Sequence, residues 1–131
     1  MLDRLTRKFH TAKRLVPKPI IEQDAGIDIA VVAYGSSDGA VREALDILAA
    51  HGIKTNYMRL RAFPFSDSVR DFFASHDRVY VIEENRDAQM AGMLRMEMPD
   101  TSPKIRSVLH YDGLPLDAQS VVEAILGHET H

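Results

Sequence analysis

Cysteine is absent from the 131 residues, and so is tryptophan. Without a thiol the chain forms no disulfide, binds no zinc or iron–sulfur cluster through thiolates, and carries no cysteine nucleophile. The same absence fits a reducing compartment, and the expectation is a cytoplasmic protein. No apolar run approaches the roughly 20 residues that a bilayer-spanning helix needs, so no membrane contact is expected. The first residues are basic but lack an apolar core and a small-residue cleavage site, which reads as no secretory signal. Neither charge sign dominates: the net charge is −3, with 27% charged and 45% hydrophobic residues. That is the make-up of one soluble globular domain with a single core.

The modest net charge hides an asymmetry. Residues 1–18 carry six basic side chains (Arg4, Arg7, Lys8, Lys13, Arg14 and Lys18) against Asp3 alone, leaving ten basic and eighteen acidic residues for positions 19–131. So acidic a body is a poor surface for gripping nucleic acid. Pro17 and Pro19 favour extended backbone around them. Residues 1–20 therefore read as a basic linker or arm arriving from a preceding domain, and 21–131 as the folded domain, with regular structure from near Ile27.

From there strand and helix patterns alternate. Ile27–Ala33 is a β-branched apolar run, as a strand covered on both faces should be. A turn of Tyr34, Gly35, Ser36, Ser37, Asp38 and Gly39 leads into an amphipathic helix with Val41, Ala44, Leu45 and Leu48 on one stripe, ended by His51-Gly52. Ile53–Leu60 reads as a second strand. Ser68 and Asp71 have capping-box spacing ahead of a short helix carrying Val69, Phe72 and Phe73. Arg78–Ile82 reads as a third strand. Asp87 caps a helix reaching about Met98, with Met90, Met93 and Leu94 inward. Ile105–Leu109 is a weaker fourth strand, and Asp117 caps the last helix with Leu116 stapled to Val121. Such alternation predicts a three-layer α/β/α domain with a mostly parallel open sheet.

In such sheets ligands bind beyond the carboxyl ends of strands, so the loops there are the places for chemistry. The Gly35–Asp38 turn can present backbone N–H groups to an anion, but it matches neither the dinucleotide fingerprint nor the P-loop; a tight turn with a helix cap explains it equally. The most polar stretch is Glu83, Glu84, Asn85, Arg86, Asp87, Ala88 and Gln89, where two carboxylates suit acid–base work or a hard cation, yet no histidine or nucleophile is near in sequence. An interface or ligand-orienting loop is the better reading. Arg59, Arg61, Phe63 and Phe65 suit an anion site or interface, or else a core rim with its arginines paired to acids. The histidines are scattered; His128 and His131 alone make no metal site. From these residues no catalytic group and no metal centre is assigned. An autonomous anion- or nucleotide-binding module and a structural dimerisation domain both stay open.

Segments of the chain add a resemblance. The approach ending LVPKPIIE, then AYGSSDGAVREALDIL, GIKTNYMRLRAFPF, DRVYVIEENRDAQMAGMLRMEM and YDGLPLDAQSVVEAIL follow one another as in a known family. The chain resembles the transketolase C-terminal-like domain of the alpha subunit of 2-oxoacid:ferredoxin oxidoreductases, especially the 2-oxoglutarate type, also known as pyruvate:ferredoxin oxidoreductase core domain II. The resemblance implies a thiamine diphosphate- and Mg-dependent enzyme. It oxidatively decarboxylates a 2-oxoacid, passes the acyl group to coenzyme A, and sends electrons through an iron–sulfur cluster to ferredoxin. The chain alone is expected to be inactive and to bind none of these cofactors. Its implied partners are the other domains and the beta subunit of the same enzyme, and ferredoxin through the complex; a homodimer stays open. By analogy joined to loop position, Gly35, Ser36, Ser37, Arg61, Asn85, Arg86, Asp87 and Gln89 are the expected cofactor-side residues facing the rest of the enzyme.

Overall fold

The computed structural model describes residues 18–34, 37–61, 65–84, 88–110 and 116–129. Five strands, β1 (Ile20–Glu22), β2 (Ile29–Tyr34), β3 (Asn56–Leu60), β4 (Arg78–Glu83) and β5 (Ile105–Leu109), form one sheet in the order β1-β3-β2-β4-β5. The pairs β2·β3, β2·β4 and β4·β5 are parallel, and only β1 runs antiparallel, along β3. Among the described residues four α-helices, α1 (Asp38–Ala50), α2 (Asp67–Ala74), α3 (Gln89–Glu97) and α4 (Ala118–Glu129), connect or follow the parallel strands.

Side chains alternate across a strand, so each parallel strand feeds two cores. Ala30, Val32, Met58, Leu60, Val79, Val81 and Ile105 meet Val69, Phe72 and Phe73 of α2 and Ala91 and Leu94 of α3 on one face. On the other, Val31, Ala33, Tyr57, Tyr80, Ile82 and Val108 meet Val41, Ala44 and Leu48 of α1 and Val121, Val122 and Ile125 of α4. The expected three-layer architecture with a mostly parallel sheet is what forms.

Boundaries differ where local chemistry was read too simply. β1 was not anticipated, because three residues after a proline carry too little pattern; its register against β3, with Ile20 beside Arg59 and Glu22 beside Tyr57, supplies the pairing. The helix α2 begins at Asp67, so Ser68 lies inside it; Ser66 is the N-cap residue, without a side-chain cap bond. The capping-box reading of Ser68 and Asp71 is thus displaced by a turn's start two residues earlier. Met93 does not point inward: it is 36% exposed, and Ala91 takes the buried position beside Leu94. Two endings hold as expected. Gly52 takes a positive φ of 85° just past α1, where an L side chain would be strained. The Asp117 carboxylate accepts the Ser120 N–H at 2.7 Å, capping α4, and Leu116 packs on the Val121 cluster.

Candidate functional site

The strand order creates one topological switch. From β2 the chain passes through α1 to β3 on one side, then through α2 to β4 on the other side of β2. Ala33 pairs with Ile82, so Tyr34 and Glu83 end adjacent strands, while α1 and α3 pack on opposite faces. Connections that diverge from neighbouring strand ends open the crevice in which such sheets hold ligands. Both polar loops singled out in the sequence depart from this point. Gly35 and Ser36 of the first, and Asn85, Arg86 and Asp87 of the third, lie outside the described residues, as does the proposed Asp87 cap; their flanks are defined.

On the first flank Ser37 is buried, and its hydroxyl donates to the Tyr34 carbonyl at 2.9 Å, closing the turn. Asp38 follows at the head of α1 and gathers two donors, one of them shared between its two oxygens. The Tyr57 hydroxyl donates to it at 2.6 Å, and Arg42 Nε lies 3.1 Å from each carboxylate oxygen. Arg42 also reaches Glu22 at 2.7 Å and lies over the Tyr57 ring, 5.1 Å from its centroid. Burial alone would raise the Asp38 pKa; the bonds from Tyr57 and Arg42 outweigh it, and the carboxyl titrates below its ordinary range. Burial and the Asp38 charge push the Tyr57 phenol up, so it stays a donor.

On the other flank Glu83 answers a question the sequence left open. Two adjacent carboxylates suggested acid–base work, but the structure sends them to different places: Glu84 is exposed and Glu83 is 6% exposed. The Glu83 carboxylate accepts the N–H groups of Met90 at 2.5 Å and Ala91 at 3.1 Å, capping α3 from the end of β4. Its carbonyl accepts His110 N–H at 2.9 Å, tying in the end of β5. A carboxylate at a helix N-terminus is favoured by the unpaired amides and the helix dipole. Ala88, just before the helix, takes the left-handed φ of 50°, unusual for a residue other than glycine. Gln89 is exposed in the first turn of α3. An acid at a strand end, a few residues before a helix start, is the signal that could have found this cap.

Arg61 lies elsewhere on the same rim. With Ile20, Tyr34, Arg59 and Leu60 it lines an open cleft of about 450 Å³ at the ends of β2 and β3. The arginines were read in the sequence as a possible pair for acidic neighbours. Among the described residues neither guanidinium makes a hydrogen bond or ion pair, for Asp38, the acid whose field reaches Arg59, is already filled by Tyr57 and Arg42. Phe65 is buried in the core as the rim reading expects, and Phe63 lies outside the described residues.

The opposite, amino-end rim is a set of structural locks. The buried His76 ring receives the Asn56 amide at 2.8 Å on Nε2, while Nδ1 donates to the Phe72 carbonyl at 2.6 Å. Asn56 in turn holds both backbone groups of Asp24, at 2.9 and 3.1 Å. The Glu129 carboxylate takes two bonds from Arg78, each 2.8 Å, and a short one from the Tyr80 hydroxyl. His128 rests against the Tyr80 ring, and His131 lies outside the described residues. Among the described residues no group of three or more side chains is placed to hold a metal ion.

Fold and site together define a three-layer α/β domain with a mostly parallel sheet, whose polar rim sits at a topological switch. A split-gene transketolase, solved as an inactive beta4 tetramer, shares this fold with a TM-score of 0.70 at 20% identity, over 86% of this chain and 41% of that one. The chain belongs to the pyruvate:ferredoxin oxidoreductase core domain II family, whose model matches residues 27–114. It is similar to the alpha subunit of 2-oxoacid:ferredoxin oxidoreductase 2 from Aeropyrum pernix, 26% identical over 133 residues, 95% of this chain and 20% of that subunit. Among solved structures it is similar to the 2-oxoglutarate:ferredoxin oxidoreductase from Magnetococcus marinus with 2-oxoglutarate, coenzyme A and succinyl-CoA bound. There the TM-score is 0.77 and the identity 26%, over 90% of this chain and 21% of that one. The chain thus spans about a fifth of the length of these two relatives. Among the described residues no helix is long and apolar enough to cross a membrane.

Proposed function

We propose that this chain is a non-catalytic domain of a thiamine diphosphate-dependent 2-oxoacid:ferredoxin oxidoreductase. In that reading it helps assemble the enzyme and forms part of its coenzyme A and substrate side. The overall reaction turns a 2-oxoacid, coenzyme A and oxidised ferredoxin into acyl-CoA, carbon dioxide and reduced ferredoxin. One observation supports the reading: in a chain of this family, β2 and β4 end side by side at Tyr34 and Glu83, where the strand order reverses, and the two most polar stretches of the sequence follow those ends. Partner domains or a beta subunit would complete the crevice there with the groups this chain does not offer. The residues present do not fit an iron–sulfur cluster, since the sequence holds no cysteine. Nor do the described ones gather three metal-ligating side chains, so no chemical step is assigned to them.

The test is an assay of 2-oxoacid- and coenzyme A-dependent dye reduction. The purified chain is expected to give none, and the same chain combined with the thiamine-binding parts of the enzyme is expected to turn over. Turnover by the pure chain alone overturns the proposal. If Arg86→Ala and Asp87→Ala in the assembled enzyme change assembly but leave coenzyme A affinity intact, the domain is structural and has no ligand side.

A further inference from the structure

We propose that His76, Asn56 and Asp24 form a proton-sensitive latch, in which a second proton on the His76 ring releases the turn joining β1 to β2. The latch is built from this chain alone and does not depend on the oxidoreductase reading.

Each hydrogen-bonding role follows from the backbone outward. The Asp24 N–H can only donate and its carbonyl can only accept. Asn56 Oδ1 therefore takes the Asp24 N–H at 2.9 Å, while Asn56 Nδ2 donates to the Asp24 carbonyl at 3.1 Å. That fixes the orientation of the amide. His76 Nε2, 2.8 Å from Asn56 Nδ2, must then be the acceptor of its other hydrogen. The single hydrogen of the neutral ring belongs on Nδ1, from which it is donated to the Phe72 carbonyl at 2.6 Å. His76 is 1% exposed and Asn56 2%, so solvent cannot stand in for a lost partner.

A proton added at Nε2 sets two donors face to face. Turning the Asn56 amide over would give that proton an acceptor, but it would aim the amide nitrogen at the Asp24 N–H and the amide oxygen at the Asp24 carbonyl. Both bonds to the turn are then lost. Leaving the amide in place strands two buried donors against each other, which is costly. The charged ring and the intact turn exclude one another.

Charges on the surrounding segments do not remove this conflict. Asp24 and Asp28 before β2 and Asp77 before β4 favour a cation, whereas Lys54 before β3, Arg78 in β4 and Lys104 before β5 oppose one. None of these six side chains bonds the ring: Arg78 is held by Glu129, and Lys104 donates to the Phe73 carbonyl. Beyond the latch, β1 is paired to β3 over only three residues, Ile20 to Glu22. Freeing Asp24 therefore loosens the edge strand and leaves the four parallel strands in place.

Amide hydrogen exchange of the 131-residue chain, corrected for the intrinsic rate, tests this at about pH 7.5 and 5.5, either side of an ordinary histidine's titration. Protection of the Asp24 amide is expected to fall by about tenfold at the lower pH, while the β4 amides keep theirs. His76→Gln, which offers Asn56 an acceptor but does not titrate, should show no such fall. Ring nitrogen shifts of the native chain at the higher pH should show the hydrogen on Nδ1, a reading that needs no variant to fold. The proposal is overturned if Asp24 is equally protected at both pH values, if β4 opens in step with it, if His76→Gln responds as the native chain does, or if the ring carries its hydrogen on Nε2.

Discussion

Glu83 shows how a residue that reads as chemistry can serve architecture. A carboxylate at the end of a parallel strand sits where catalytic acids are found, and its neighbour Glu84 strengthened that reading. Its burial is offset by the amide donors that both oxygens receive from the start of α3. Glu83→Ala is therefore expected to lower stability by about 1–2 kcal/mol, the usual range for a lost helix cap. Hydrogen exchange at the Met90 and Ala91 amides should accelerate along with it, and Glu83→Gln, which keeps one acceptor, should show less of both. Unchanged exchange at those two amides would remove the cap from Glu83. The sequence could not decide between the roles, since the partners of Glu83 lie seven and eight residues on and become neighbours only when α3 docks. Arg59 and Arg61 were legible as an anion or interface pair; that Asp38, whose charge reaches Arg59, is bonded instead by Tyr57 and Arg42 depends on contacts across the sheet and helix layers.

At the scale of elements, long periodic segments were readable and short ones were not. The central strands announced themselves through β-branched runs, because both of their faces are covered. β1 has three residues and borrows its geometry from β3, so nothing local marks it. The helix α4 was placed by the Asp117 cap, but what holds its far end was not foreseen: Glu129 reaches Arg78 and Tyr80 some fifty positions earlier in the chain. Burial alone would raise the Glu129 pKa; the bonds from Arg78 and Tyr80 prevail and hold it below its ordinary 4.5. A lowered folded value means that the stabilisation is present above pH 4.5 and is lost as the pH falls through the folded pKa. Denaturant midpoints followed from neutral pH down to about 3 should fall steeply for the native chain. Glu129→Gln should start lower at neutral pH and fall less. Parallel curves for the two would place the acid sensitivity elsewhere, Asp38 being the next carboxylate with a lowered pKa.

For the whole molecule, the family model ends at residue 114, before α4 begins. Yet Val121, Val122 and Ile125 of that helix cover Tyr80, Ile82 and Val108 on one face of the sheet. Burying three such side chains stabilises by roughly 5–9 kcal/mol, comparable to the whole stability of many domains. A fragment of residues 27–114 is accordingly expected to keep helical far-UV dichroism while losing near-UV signal and proton chemical-shift dispersion. A well-dispersed spectrum from that fragment would show that the second core is dispensable. The layered arrangement was visible in the alternation of patterns, because each parallel strand needs cover on both faces. Which loops share the switch point follows from strand order, which no local pattern encodes.

The antiparallel course of β1 has a practical consequence. Ile20 sits beside Arg59 at the rim of the cleft, whereas Glu129 is fastened to Arg78 at the opposite rim. A dye, affinity handle or surface tether attached at the Glu129 end of α4 therefore stands away from the rim formed by the carboxyl ends of β2 and β3. Sensor-chip immobilisation should accordingly go through the carboxyl end.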